Sequence, residues 1–97
     1  MVNVVNVVNV FKALGDPTRR EILKLLREKD ISAGEISENF NMSKPVITKH
    51  LDILGEAELI SSEKKGLYVI YSINISVLQE AISNFMTFLK RSRADYE

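Results

Sequence analysis

The sequence predicts a mainly α-helical fold in which one small β-hairpin stands just before the last helix. Three observations carry this. Apolar residues recur at three- and four-residue spacing over most of the chain. The spacing changes to period two only after Leu59, on either side of Gly66. Helix-start signals precede the helical stripes at Asp16-Pro17, at Ser32 with Glu35, at Ser43 with Pro45 and at Ser76 with Gln79.

The elements follow in order. The opening "VNVVNVVNVF" repeats a Val-Asn-Val unit, and strand alternation fails because Val4 and Val5, then Val7 and Val8, would fall on opposite faces. Helical spacing aligns Val4, Val7, Val8, Phe11 and Leu14, so a helix is expected from Val7, with residues 1–5 assigned as readily to a frayed extension. In "GDPTRREILKLLREK", Asp16 is the expected cap and Pro17 the first helical residue, ahead of a stripe of Ile22, Leu23, Leu25 and Leu26. Ser32 and Glu35 form a capping box for a short helix ending near Phe40, and Asn41 suits the left-handed turn that follows. Ser43 caps the next helix, with Pro45 in the first turn, where N–H groups have no intrahelical partner anyway. Ile60–Glu63 and Tyr68–Ile73 read as strands, the second with Val69, Tyr71 and Ile73 on one face, joined by the tip "KKGL". A last helix over residues 76–93 carries Leu78, Ala81, Ile82, Phe85, Met86, Phe88 and Leu89, and Lys90, Arg91 and Arg93 suit its carboxyl end. This order, α-α-α-α-β-β-α, is that of a winged helix-turn-helix.

Composition narrows the function. The 97 residues are expected to form one domain, residues 1–97. The absence of cysteine removes disulfides, thiolate chemistry and Cys-based metal sites. Lacking an apolar run near the ~20 residues of a membrane span, and a leader-like start, the chain is expected to be cytoplasmic. With 13 basic and 13 acidic side chains there is no global pull on nucleic acid, so DNA binding would need locally concentrated cations.

Such a concentration stands in "NMSKPVITKHLDIL", Asn41 to Leu54. At ~100° per residue, Ile47, Leu51 and Leu54 converge on one side of the helix, and Lys44, Pro45, Thr48, Lys49 and Asp52 on the other. In a helix-turn-helix the second helix enters the major groove and its early residues reach base edges. Lys44 and Lys49 suit guanine O6 and N7 or phosphate, Thr48 and Pro45 suit a thymine methyl, and Ser43 suits a backbone phosphate at the helix start. A solvated amphipathic surface helix would carry the same residue types; the preceding short helix and the following hairpin favour the DNA reading. His50 falls beside Ile47 and Leu54, away from the lysines, and is expected to be a packed, hydrogen-bonded histidine that fixes the helix orientation. Asp52 would be repelled by phosphate unless it accepts from cytosine N4. Lys64 and Lys65 would carry charge to a flanking minor groove or phosphate. Arg19 and Arg20 suit phosphates or, equally, carboxylates within the fold. The apolar face of the last helix is wider than one small core requires. With Val7, Val8 and Phe11 near the other end, Phe85, Phe88 and Leu89 point to a dimer interface.

Three segments, "FKALGDPTRREILKLL", "SAGEISENFNMSKPVITKHLDILGEAELI" and "KKGLYVIYSIN", resemble the ArsR-type (arsenic-repressor-like) winged-helix transcriptional repressors over about residues 9 to 90, nearest the cysteine-free SdpR-like autorepressors. The resemblance implies a homodimer built from the first and last helices. It also implies a palindromic double-stranded DNA operator read by the Ser43 helix, with Lys44, Pro45, Thr48 and Lys49 facing bases and Lys64 and Lys65 in the basic wing. Metal-sensing members carry a Cys-containing motif on the short helix, where this chain has "EISEN", Glu35 to Asn39. Others place Asp, His and Glu ligands on the last helix, where residues 76–93 hold no histidine and only Glu80 among carboxylates. No metal and no cofactor are therefore expected. The wing position after the glycine, commonly basic in the family, is Leu67. Repression would then be relieved by a protein partner or by concentration alone.

Two rival functions are weaker. An enzyme would have to work with one histidine, no cysteine and no Gly-rich phosphate loop. A winged helix used only as a protein-interaction module would show an acidic or apolar face where this chain has Lys44 and Lys49.

Overall fold

The computed structural model describes residues 6–96, with side chains through Arg91. The extension expected at residues 1–5 and the side chain of Arg93 lie outside the described residues. Among the described residues eight elements follow one another: α1 (Val7–Leu14), α2 (Pro17–Glu28), β1 (Ile31–Ser32), α3 (Ala33–Phe40), α4 (Lys44–Glu56), β2 (Ile60–Lys65), β3 (Tyr68–Ile73) and α5 (Ile75–Tyr96). The architecture is a winged helix-turn-helix, with helices packed on a three-stranded antiparallel sheet of order β1-β3-β2.

The local signals explain most boundaries. The side chain of Asn6 accepts from the Asn9 N–H at 3.0 Å, so an asparagine of the Val-Asn repeat caps α1. The Ser32–Glu35 capping box forms in both directions at the start of α3. Asn41 takes φ +52°, turning the chain tightly between α3 and α4. Asp16 and Ser43 occupy N-cap positions with extended backbone, but neither side chain makes a capping bond. Both helices instead begin with proline in the first turn, which needs no N–H partner.

Several expectations are corrected. The last helix starts at Ile75, one residue before Ser76, so Ser76 lies inside the first turn and is not the cap. It also runs on to Tyr96, which puts Lys90 and Arg91 within the helix and not at its carboxyl end. Strand β1 is new: Ile31 pairs with Tyr71 and Ser32 with Ile70, anchoring the hairpin to the head of α3. Lys64 and Lys65 belong to β2, paired with Val69 and Tyr68, and the tip is Gly66-Leu67 alone. Gly66 has φ +63° and Leu67 does not share it, the φ signs of a II′ hairpin turn. In α1 the residues sealed in the core are Val10 and Ala13, while Val8 is 76% exposed. The stripe of Val7, Val8 and Phe11, which the sequence offers to a second subunit, lies on the outward side of the helix, and the sealed pair Val10 and Ala13 is what the period did not mark.

The core is otherwise the one the helical periods define. Ile22, Leu23 and Leu26 of α2, Ile36 of α3 and Ile47, Leu51 and Leu54 of α4 close on Leu59, Ile60 and Ala81, with Leu25, Tyr71, Ile73 and Leu78 packed at its margin. Val69, expected to share the inward face of β3, lies far enough towards the tip to be exposed. Chain reversal from α4 into β2 is a Schellman turn, with Glu58 N–H to Gly55 O at 2.9 Å and Leu59 N–H to Leu54 O at 3.1 Å. Glu58 carries φ +61°, and the Asn74 side-chain amide donates to its carbonyl at 3.1 Å.

Candidate nucleic-acid interface

With Ile47, Leu51 and Leu54 locked in the core, the opposite face of α4 is fixed in direction. Ser43, Lys44, Pro45, Thr48, Lys49 and Asp52 are all exposed on it. Val46, which the periodic analysis passed over, stands exposed beside Pro45 and adds an apolar surface to the same end. The charge along α4 is polarised: Lys44 and Lys49 lie in the amino-terminal half, whereas Asp52 and Glu56 flank a shallow cleft against Ser61 and Ser62 of β2. Cationic side chains and the free N–H groups of the first turn therefore share one end. That end can bind phosphate and reach bases; the other end repels phosphate.

Lys64 and Lys65 are exposed on the outer part of the hairpin, and being consecutive strand residues they project to opposite faces. Arg20 is exposed, but one guanidinium nitrogen donates to the Leu14 carbonyl at 2.7 Å, capping the end of α1. Arg19 is committed inside the fold. Its Nε donates to Ala13 O at 2.8 Å and its Nη2 to Lys12 O at 3.2 Å. Its Nη1 lies 3.3 Å from Nδ1 of His50. His50 is mostly buried in this contact, in keeping with the packed, hydrogen-bonded histidine expected there.

The residues expected at an interface between subunits also come together. Phe11 of α1 meets Phe85 of α5 edge-on at a centroid distance of 5.5 Å, and Phe85 stacks on Phe88 at 6.4 Å. Val8, Phe11, Ile82, Phe85, Met86, Phe88 and Leu89 are exposed in the single chain, and Val7 is half-buried beside them. The helix-turn-helix segment matches the family model described as "Bacterial regulatory protein, arsR family" over residues 16–62. The chain is 51% identical to the transcriptional repressor SdpR of Bacillus subtilis over 90% of its own length and 97% of that protein.

The chain belongs to the ArsR family of bacterial regulatory proteins. Its fold agrees with an ArsR-like transcriptional regulator from Rhodococcus sp. RHA1, with a TM-score of 0.77 at 32% identity, covering 93% of this chain and 81% of that one. It is also similar to a homodimeric winged helix-turn-helix DNA-binding domain from Mycobacterium bovis, with a TM-score of 0.71 at 21% identity, covering 94% of this chain and 83% of that one. Membership makes the protein a DNA-binding transcription regulator and not an enzyme. Among the described residues no helix is long and apolar enough to cross a membrane, and no group of three or more His, Asp or Glu side chains is placed to hold a metal ion.

Proposed function

We propose that this ArsR-family protein is a cytoplasmic, single-domain repressor that binds an inverted-repeat operator as a homodimer, controls its own expression and senses no metal. The observation that carries the reading is the exposed row Lys44, Pro45, Thr48 and Lys49 on a helix whose other face is sealed in the core. Lys44 and Lys49 take base acceptors, Thr48 and Pro45 take thymine methyl groups, and Ser43 takes a phosphate at the helix start. Lys64 and Lys65 neutralise flanking phosphates from the wing, and Arg20 offers phosphate the N–H groups that Leu14 does not occupy.

The apolar surface of Val7, Val8, Phe11, Phe85, Phe88 and Leu89 supports a dimer through α1 and α5, as does the homodimeric relative from Mycobacterium bovis. Two-fold symmetry would set the two α4 helices about 34–36 Å apart or a multiple, hence half-sites about 10 bp apart centre to centre. The chain has no cysteine and one histidine, which supports release by a protein partner or by falling concentration in place of metal binding.

A gel shift with the DNA upstream of the protein's own gene tests the reading. Lys44→Ala or Lys49→Ala should weaken operator binding by about 1–3 kcal/mol if the contact is to a base. A phosphate contact would instead weaken all sequences alike and lower the salt slope by about one. Zinc or arsenite should leave the shift unchanged. Undiminished operator affinity in the double variant, with its circular dichroism intact, would remove α4 from the interface.

A further inference from the structure

We infer that Asp16, Arg19 and His50 are positioning residues for the reading helix, forming a strut that changes partners when His50 gains a proton. The inference rests on the proposed DNA-binding role of α4, but it concerns three residues outside the proposed DNA-contacting set.

Arg19 is the body of the strut. Two of its nitrogens hold the Ala13 and Lys12 carbonyls at the end of α1, and the third reaches Nδ1 of His50 in the middle of α4. One side chain on α2 thus ties the end of α1 to the reading helix. The third member is Asp16, at the junction of α1 and α2. Its Oδ2 is buried and has no hydrogen-bond partner; it stands 3.6 Å from His50 Nδ1 and 3.9 Å from Arg19 Nη1. Both distances are too long for hydrogen bonds.

A buried carboxylate oxygen without a donor is costly and calls for a reason. Here the reason is that one ring nitrogen cannot serve both neighbours. With Nδ1 bare, its lone pair accepts from Arg19 and the Asp16 oxygen goes without. With Nδ1 protonated, the nitrogen becomes a donor, and Asp16 is the acceptor waiting beside it. Arg19 then loses its acceptor and faces a second cation.

Asp16 and Arg19 are the charged groups in contact with the imidazole, one from the α1–α2 junction and one from α2, and Lys49, the neighbour within α4, is exposed. Among the described residues no other ion pair reaches the ring. Because His50 follows Lys49 directly, moving its anchor from Arg19 to Asp16 turns the face that carries Lys49 and Thr48. Operator affinity should therefore fall on acidification. This sign runs against the general trend, since acidification makes the protein more positive and favours DNA binding.

The test measures operator binding by fluorescence anisotropy at constant ionic strength, from about pH 8 to about pH 5.5, for the wild type and for His50→Asn. The asparagine amide oxygen takes the place of Nδ1 as an acceptor for Arg19 but does not titrate. The wild type should lose about tenfold in affinity, within the usual range for coupling between two sites. His50→Asn should match it at the alkaline end and stay level. The same pH series on free protein, followed through the Thr48 and Lys49 amide resonances, needs no DNA. Those resonances should follow a single-proton transition that His50→Asn abolishes and Asp16→Asn displaces. Parallel binding profiles for wild type and His50→Asn, or α4 resonances indifferent to pH, would overturn the strut. Titrating resonances with no operator binding at any pH would keep the strut and remove the DNA-binding reading.

Discussion

Replacing Glu58 with glycine should make the protein more stable. Glu58 is the residue just past the end of α4, held at φ +61° by the two hydrogen bonds of the Schellman turn. A side chain in the left-handed region costs about 1–2 kcal/mol, because its Cβ crowds the following carbonyl. Glycine escapes that cost but has more freedom to lose on folding, which gives back about 0.4–1 kcal/mol. The carboxylate of Glu58 forms no ion pair among the described residues, so the exchange sacrifices no charge contact. A net gain of about 0.5–1 kcal/mol remains, which for a domain of this size raises Tm by roughly 2–8 °C. The assay is thermal and urea denaturation at one fixed protein concentration, since a dimer's Tm depends on concentration. Glu58→Ala is the control, because it removes the carboxylate but keeps the Cβ and should gain nothing. A glycine variant no more stable than the alanine variant would show that the turn at the end of α4 is not strained.

Two further outcomes are expected. Phe85→Asp puts a charge between Phe11 and Phe88 and should shift the protein towards monomer or aggregate and cost most of its operator affinity; a wild type that sediments as a monomer at micromolar concentration yet protects a full palindrome would rule that interface out. Glu35→Gln should flatten the acid limb of stability: the Ser32 backbone N–H, then the Ser32 hydroxyl and the Lys29 charge, hold the Glu35 carboxyl below its ordinary value of 4.5 against the opposing effect of desolvation. Its contribution is therefore complete above that value and is lost as the pH falls through the lowered one. Urea melts from about pH 6 to about pH 3 should separate the two proteins, and identical slopes would deny the capping box that role.

Much of this molecule is legible in its sequence because the information is local. The capping box at Ser32, the proline starts and the left-handed Asn41 each depend on a few consecutive residues, and the two faces of α4 follow from one helical period. What was missed needs partners far apart in the chain. Strand β1 is two residues long, too short to show a period, and exists only because Ile31 and Ser32 lie beside β3. Nothing near Asp16 announces that it will stand beside His50; both short-range signals there suit an ordinary cap. In α1 the Val-Asn-Val repeat offers apolar residues on most of the circumference, so the period alone did not mark Val10 and Ala13 as the sealed side.

The pairing of β1 with β3 divides the wing into two mechanical parts. Near Ile70 and Tyr71 the hairpin is a three-stranded sheet, bound on one side to the segment that leads into α3. Beyond that point, from Lys64 to Val69, it is a two-stranded ribbon with exposed side chains. The root of the wing therefore moves with the helix-turn-helix, and only the last few residues are free to bend. In the proposed DNA complex, this construction would deliver Lys64 and Lys65 to a predetermined place beside α4, yet let them adjust to the local path of a phosphate backbone without disturbing the core.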